Sequence, residues 1–415
     1  MCHHPLTEYF NAFVFHVSWC LPRLTSERGP LQLVQSFVDA DSETAPASRN
    51  RQLNDNNSCD RSIANKVLSY PCGEVPQVGC AREIVPGILW VRMPLPFSLN
   101  HVNLWILRDG DGWAAIDAGL QSSETAAAWR RLCGSDGALE GRRITRVFAT
   151  HMHRDHVGMI GWLTRRHDCR LYMTRLEYLT CRVLAADSGR EAPKDGVDFY
   201  HRAGWNDDAI ENYRARFGGF GKFIYALPDS YRRLFDGESL QIDGREWRVV
   251  VGYGHSPEQA CLYCPSLNVL ISGDQVLPKI SSNVAVFPTE PDADPLSDWL
   301  FSLDKLQREV PDDVLVLPAH NEPFLGLHTR LAQLRDDARA AIGRLRGALS
   351  DPKRAIDVFG ELFARPIGSE PELLGMATGE SLAHLNYLIS HGEAIKDIDK
   401  VGVAWYCLRS CRGNG

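Results

Sequence analysis

An α/β fold is the expectation for this 415-residue chain, and three patterns carry it. Short apolar runs of strand length, each bounded by Gly, Pro or Asp, are interspersed with amphipathic stretches at helical spacing. Strand signals stop near residue 174 and return at residue 239, on either side of a long helical, aromatic stretch. Four of the runs end directly on a histidine or an aspartate, and side chains so placed converge on one edge of a sheet. At 44% hydrophobic and 23% charged residues, the composition supports a substantial core and excludes global disorder.

Taken in order, residues 1–68 read as a disordered N-terminal extension with no catalytic role, because the run from Asp39 to Ser58 is polar, aperiodic and turn-rich. Phe10 to Pro22 is the one signal-like apolar stretch. Glu8 precedes it and no Lys or Arg stands before Arg23, so a secretory signal is not expected. The main domain is assigned to residues 75–328. Its strands are expected at Gly87–Pro94, Val102–Leu107 and Gly112–Ile116, followed by a helix over Ser122–Leu132. A buried strand follows over Arg143–Thr150, and then a helix over Gly158–Arg166.

Residues 174–234 are read as a helical lid insertion, rich in aromatics from Tyr178 to Tyr231. Those rings either pack the helices onto the scaffold or line an apolar pocket, and Gly218-Gly219-Phe220-Gly221 would let the lid bend. Strands return at Ser239–Ile242, Trp247–Tyr253, Cys261–Cys264, Val269–Ser272 and Val314–Leu317. Residues 329–415 form a small helical C-terminal domain, with helices over Thr329–Leu349, Ala355–Phe363 and Leu373–Ser390 and a closing strand over Val401–Leu408.

Charge and cysteine usage narrow the class. A net charge of -7 argues against nucleic-acid binding by bulk electrostatics, and the tail is nearly neutral. No run reaches the roughly 18 apolar residues of a membrane span. The twelve cysteines are scattered without a scaffold-like spacing, which reads as reduced thiols in a cytoplasmic protein. Cys261 and Cys264 form one Cys-x-x-Cys. Without a second pair to complete four ligands, they are read as two small strand residues.

The chemistry is concentrated at the strand ends. Ala149-Thr150 leads into His151-Met152-His153-Arg154-Asp155-His156, three histidines and an aspartate within six residues. Gly254 leads to His255, Gly273 to Asp274 and Ala319 to His320. The set of seven, five histidines and two aspartates, exceeds one tetrahedral zinc site and suits two ions about 3.5–4 Å apart holding a bridging hydroxide. The nitrogen and oxygen donors suit zinc and also accept iron or manganese. His167, His201 and His328 lack such context and read as surface or packing residues, with His201 the one that could face the pocket from the lid.

The His-x-His-x-Asp-His run, the Gly-His-Ser-Pro turn, Ser-Gly-Asp and Pro-Ala-His-Asn together resemble the metallo-β-lactamase-fold hydrolases, nearest to the glyoxalase II-like and lactonase-like branches. The resemblance spans roughly residues 80–330. It implies a four-layer α/β/β/α sandwich with the site at one edge of the two sheets and makes residues 75–328 the catalytic domain. It also implies His151, His153 and His255 on one ion, Asp155, His156 and His320 on the other, and Asp274 bridging. Glu258-Gln259 stands where many relatives carry a small residue after Gly-His-Ser-Pro. The tail resembles a small winged-helix-like domain rather than a glutathione-binding end, which speaks against a glutathione thioester as substrate.

The expected activity is metal-dependent hydrolysis of a carboxylic ester, lactone or thioester on a small acyl substrate, with Asp155 orienting the hydroxide and returning a proton to the leaving group. A β-lactamase is disfavoured, because two-zinc members often place a cysteine in the second site. A phosphodiesterase or nuclease would share the ligands but want a basic surface. From another class, a non-catalytic metal-bound binding protein would use the tail as a partner or homodimer surface.

Overall fold

A computed structural model describes residues 67–412; the expected disordered extension therefore lies almost entirely outside the described residues, as does the rejected signal at Phe10–Pro22. The first sheet opens with strands β1 (Ala81–Val85), β2 (Ile88–Pro94), β3 (His101–Asp109) and β4 (Gly112–Ile116). Helix α1 (Ser123–Leu132), strand β5 (Ile144–Phe148), helices α2 (Arg154–Val157) and α3 (Ile160–His167), and strand β6 (Arg170–Met173) follow. The insertion comprises α4 (Arg175–Ala186), α5 (Lys194–Ala203) and α6 (Asp207–Arg216) and returns to the sheet as β7 (Arg232–Arg233). β1 to β7 form one sheet in chain order, antiparallel up to β4 and parallel beyond it.

A second sheet contains β8 (Ser239–Ile242), β9 (Arg245–Gly252), β10 (Gln259–Cys264), β11 (Val269–Gly273) and, beyond helix α7 (Pro295–Glu309), β12 (Leu315–Pro318). The tail is α8 (Leu327–Ala348), α9 (Phe359–Leu362), α10 (Pro371–Ser390) and an antiparallel hairpin of β13 (Ala394–Ile398) and β14 (Ala404–Leu408).

The expected four layers are present. Trp90, Trp105, Ile116 and Phe148 of the first sheet meet Trp247, Val249, Leu262 and Ile271 of the second in one buried cluster between the sheets. The outer face of the first sheet is covered by α1, α3 and α4, through Trp129, Leu163 and Tyr178. The outer face of the second, Val250, Cys261, Leu270 and Val316, is covered by α7, α8 and α10. Side chains alternate across a strand, so Cys261 and Cys264, three apart, face opposite sides of β10. Two thiols directed into different layers form neither a zinc half-site nor a redox pair.

Among the described residues six elements were not expected from the sequence: β1, β6, β7, β13, α2 and α7, of which β7 and α2 are two and four residues long. β1 and β6 are short, and β13 is polar with burial on one face only. α7 carried a legible start, since the Asp294 carboxylate caps the Ser297 N–H and Pro295 occupies the first turn. The aromatic insertion resolves toward packing: Tyr178 stacks on Tyr231 at 3.8 Å, while Phe199 and Trp205 join the cluster beneath α10, with the Trp205 indole donating to Thr378 at 2.9 Å. His201 lies beside Gly402 of the C-terminal hairpin.

Candidate metal centre

Asp155 and His156 stand on the short helix α2, and His255 and Asp274 leave strand ends where the chain does something a continuing strand could not. Gly254 before His255 has φ +98, and a Cβ on it would stand 2.4 Å from the Trp299 Cβ. Gly273 before Asp274 has φ +52, with a Cβ 2.6 Å from the Gln259 amide nitrogen. Only glycine fits either turn, which is why Gly-His and Gly-Asp are the local signatures.

The seven residues meet. His151, His153, His255 and Asp274 form one group and Asp155, His156 and His320 another, with the ligating atoms within 4.8 Å of one another in each. Asp274 sits between them. Its Oδ2 lies 3.9 Å from His151 Nε2, 3.6 Å from His156 Nε2 and 3.5 Å from His255 Nε2, and its Oδ1 lies 3.4 Å from His320 Nε2. Asp155 Oδ2 is 3.6 Å from His156 Nε2 and 3.5 Å from His320 Nε2.

The opposite ring nitrogens decide the tautomers. His156 Nδ1 donates to Asp117 at 2.8 Å, His255 Nδ1 to the Asn283 carbonyl at 2.8 Å and His320 Nδ1 to the His101 carbonyl at 3.0 Å. Thr150 gives its hydroxyl proton to Asp117 and so accepts from His151 Nδ1 at 3.0 Å. Four imidazoles, each with its Nδ1 held as a donor, therefore turn their Nε2 atoms toward one small volume, where loss of the Nε2 proton leaves a lone pair for a cation, the arrangement of metal-bound histidines with oriented outer nitrogens. Asp155 Oδ2, His156 Nε2, His255 Nε2 and Asp274 Oδ1 are buried without a well-formed hydrogen bond. Buried polar atoms without partners are costly, and cations would satisfy all four at once.

Electrostatics agree. Burial, then the neighbouring imidazoles, pushes His151 well below its ordinary pKa, and burial and His255 push His153 down to about 3. His156 and His320 go the other way despite burial: Asp155, Asp274 and Asp117 raise His156, and Asp274 and Asp155 raise His320 to about 9. The two carboxylates, though buried, are held below their usual range by those same histidines. The Asp155, His156 and His320 side thus attracts positive charge, which a divalent ion supplies in exchange for protons.

Three supporting residues were not singled out from the sequence. Asp117, at φ +63, follows β4 as His151 follows β5; the strand-end pattern could have found it. It accepts from the Thr150 N–H and hydroxyl and from His156, all at 2.8 Å. Glu177, buried on α4, accepts from the Met152 N–H at 2.9 Å and the Glu258 N–H at 2.8 Å, so one carboxyl ties the His-x-His loop to the His255 turn. Burial pushes it up to about 7 against those two bonds. Asn103 donates to the Pro318 and Asn321 carbonyls and fixes the His320 loop. Glu258, which departs from the expected small residue, accepts from the Leu176 N–H at 2.8 Å in the first turn of α4.

Next to His153 in the chain, the Arg154 guanidinium lies 4.9 Å from the centre of the Phe223 ring, and Arg216 of α6 pairs with Glu372 of α10 at 3.0 Å. Among the described residues no helix is long and apolar enough to cross a membrane.

Sheets, layers and ligand set define a class, and comparison with known proteins agrees with it. The family described as Metallo-beta-lactamase superfamily matches residues 98–320, and the Metallo-beta-lactamase-like, C-terminal domain matches residues 342–409. The chain belongs to the metallo-β-lactamase superfamily. A beta-lactamase domain protein from Burkholderia ambifaria is 38% identical, with TM-score 0.74, over 85% of this chain and 99% of that one. A metallo-beta-lactamase family protein from Thermus thermophilus is 25% identical, with TM-score 0.66, over 79% of this chain and all of that one. The acyl-coenzyme A thioesterase MBLAC2 of Gallus gallus is 26% identical over 59% of this chain and 80% of its own length. The glyoxalase II-like branch receives no specific match among these.

Proposed function

We propose that the chain is a cytoplasmic, binuclear metal-dependent hydrolase of carboxylic ester, lactone or thioester bonds, with an acyl thioester as the favoured substrate. The observation that carries this reading is the position of Asp274, within 3.4–3.9 Å of four inward-facing histidine nitrogens. His151, His153 and His255 would hold one ion, Asp155, His156 and His320 the other, and Asp274 would bridge. Two divalent ions there, whether zinc, iron or manganese, would supply Lewis acidity for an acyl oxygen and a water acidified to near neutral pH.

The protein's own groups do the rest. Asp274 and the outer hydrogen bonds to Asp117, Thr150, Asn283 and His101 keep the ligands in one geometry. Asp155, whose Oδ2 faces the centre, orients the attacking water and carries its proton. Water adds to the acyl carbon, the carbon–sulfur or carbon–oxygen bond breaks, and the proton ends on the leaving atom. Arg154, between the ligand residues His153 and Asp155 in the chain, and Phe223 over its guanidinium would meet an anionic or apolar part of a larger substrate. The similarity to the acyl-coenzyme A thioesterase MBLAC2 of Gallus gallus favours the thioester over the ester, and the free thiols Cys181, Cys261 and Cys264 fit a reducing compartment.

Purified protein should hold two ions per chain and turn over acyl thioesters or aryl esters, and the His153→Ala variant should not. Protein with two ions that is inert on acyl thioesters, aryl esters and lactones sinks the reading. Turnover of bis-aryl phosphodiesters alone would move it to phosphodiester chemistry, and β-lactams alone to lactam hydrolysis. Asp155→Asn with both ions and full turnover would remove Asp155 from the proton step.

A further inference from the structure

Between Asp274 and α7 the chain runs from 275 to 294 without regular secondary structure, yet Val276, Leu277, Ser282, Val284 and Val286 are buried. A buried irregular segment must find partners for its backbone groups elsewhere. Here the C-terminal domain supplies many of them. The Arg330 guanidinium of α8 donates to the Leu277 and Ile280 carbonyls at 2.6 and 2.9 Å. The Val286 N–H donates to the Gly379 carbonyl of α10 at 3.0 Å, and Asn386 donates to the Pro291 and Ala293 carbonyls. Segment and helix are so close that a Cβ on Gly379 would stand 2.9 Å from the Ala285 Cβ.

That segment also touches the metal centre twice. The Ser282 hydroxyl donates to the Asp274 carbonyl, and the Asn283 carbonyl accepts from His255 Nδ1. The Asn283 side chain in turn donates to Glu380 Oε2 on α10 at 2.7 Å. Glu380 is buried beside a small cavity of about 20 Å³, lined by Ser281, Val284, Trp299 and His384. A leucine would fill such a place at lower desolvation cost.

We propose that Glu380 is a positioning residue of the metal centre: through Asn283 it holds the carbonyl that orients His255, which makes the C-terminal domain a working part of the site. The inference rests on His255 being a metal ligand, as read above. Burial pushes the Glu380 carboxyl up to about 8, so it is mostly protonated at neutral pH and still offers Oε2 to Asn283. Glutamine in its place keeps an acceptor, and leucine keeps the volume without one.

The test is metal affinity of the full-length protein, measured for zinc by chelator competition and for cobalt by its ligand-field spectrum. Glu380→Leu should weaken one of the two ions about 10- to 100-fold, leave the other at wild-type affinity and shift the cobalt bands. Glu380→Gln should behave as wild type. Asn283→Ala, which cuts the same link without touching α10, should reproduce Glu380→Leu and decides the matter if that variant does not fold. Two ions bound at wild-type affinity with an unchanged cobalt spectrum in Glu380→Leu, or in Asn283→Ala where the leucine variant is unfolded, would overturn the proposal. His255→Ala separates the failures: if it keeps both ions, the metal-centre reading is wrong; if it loses one while the other variants lose nothing, only the role of Glu380 falls.

Discussion

His156 and His255 approach the same carboxylate, Asp274, at 3.6 and 3.5 Å, but from differently built supports. The outer nitrogen of His156 is held by Asp117, which stands at the end of β4 and is itself held by Thr150 at the end of β5. Every part of that support hangs on adjacent parallel strands with a core on both faces. The outer nitrogen of His255 is held by a main-chain carbonyl on an irregular segment, which leans on helices from the far end of the chain. One half of the site is fixed by the sandwich, the other by whatever keeps the C-terminal domain docked. Local damage should therefore impair the first half, and interdomain damage the second.

The largest expected effect breaks both halves together. Asp274→Ala should release both ions and reduce turnover to below about a thousandth of wild type, read by metal content and kcat. Retention of one tightly held ion would show that the halves are independent. Asp117→Asn, which keeps an acceptor but removes the charge facing His156, should cost about 10- to 100-fold in affinity for one ion and leave the other alone. An equal loss at both ions would mean that the sandwich supports the whole site.

Glu177 links the halves, so its loss should show in stability before metal content. Glu177→Ala strands the Met152 and Glu258 N–H groups at about 1–3 kcal/mol each, measurable by urea unfolding. Glu177→Gln, which still offers one acceptor, should cost roughly half as much. Equal stability of the alanine variant would show that water replaces the carboxyl and that the loops are tied elsewhere.

The smallest effect is a pH dependence at the domain interface. Glu380 has its folded pKa raised from 4.5 to about 8, so the native state keeps a proton that the unfolded chain has released. Stability from this group is full below pH 4.5 and is lost as pH rises through 8. Between pH 7 and 8 the loss is about 1 kcal/mol, and Glu380→Gln should flatten that part of the profile. An unchanged slope in the glutamine variant would place the titration on another group.

All seven candidate ligands were legible because metal chemistry needs particular side chains and the strand ends put them in short, recognisable runs. Asp117 was legible by the same rule and was overlooked. Glu177 and Glu380 were not, since nothing in Arg-Leu-Glu-Tyr or Thr-Gly-Glu-Ser distinguishes a buried carboxyl from a helix-surface one. The aromatic insertion carried its composition in the sequence but not its orientation: Phe199 and Trp205 pack toward α10 because the C-terminal domain offers them an apolar face. That domain, readable as helices and one strand, proved to brace the residues beside His255.

The chain's own order of residues determined the α/β class, the strand ends and the identity of the groups that meet there, because periodicity and donor chemistry are local properties. Which nitrogen each histidine turns inward, and what props the segment beside His255, only the tertiary structure decided. Both depend on hydrogen bonds between residues far apart in the chain, as between Asn283 and Glu380, and the short-range pattern of a sequence holds no record of such pairs.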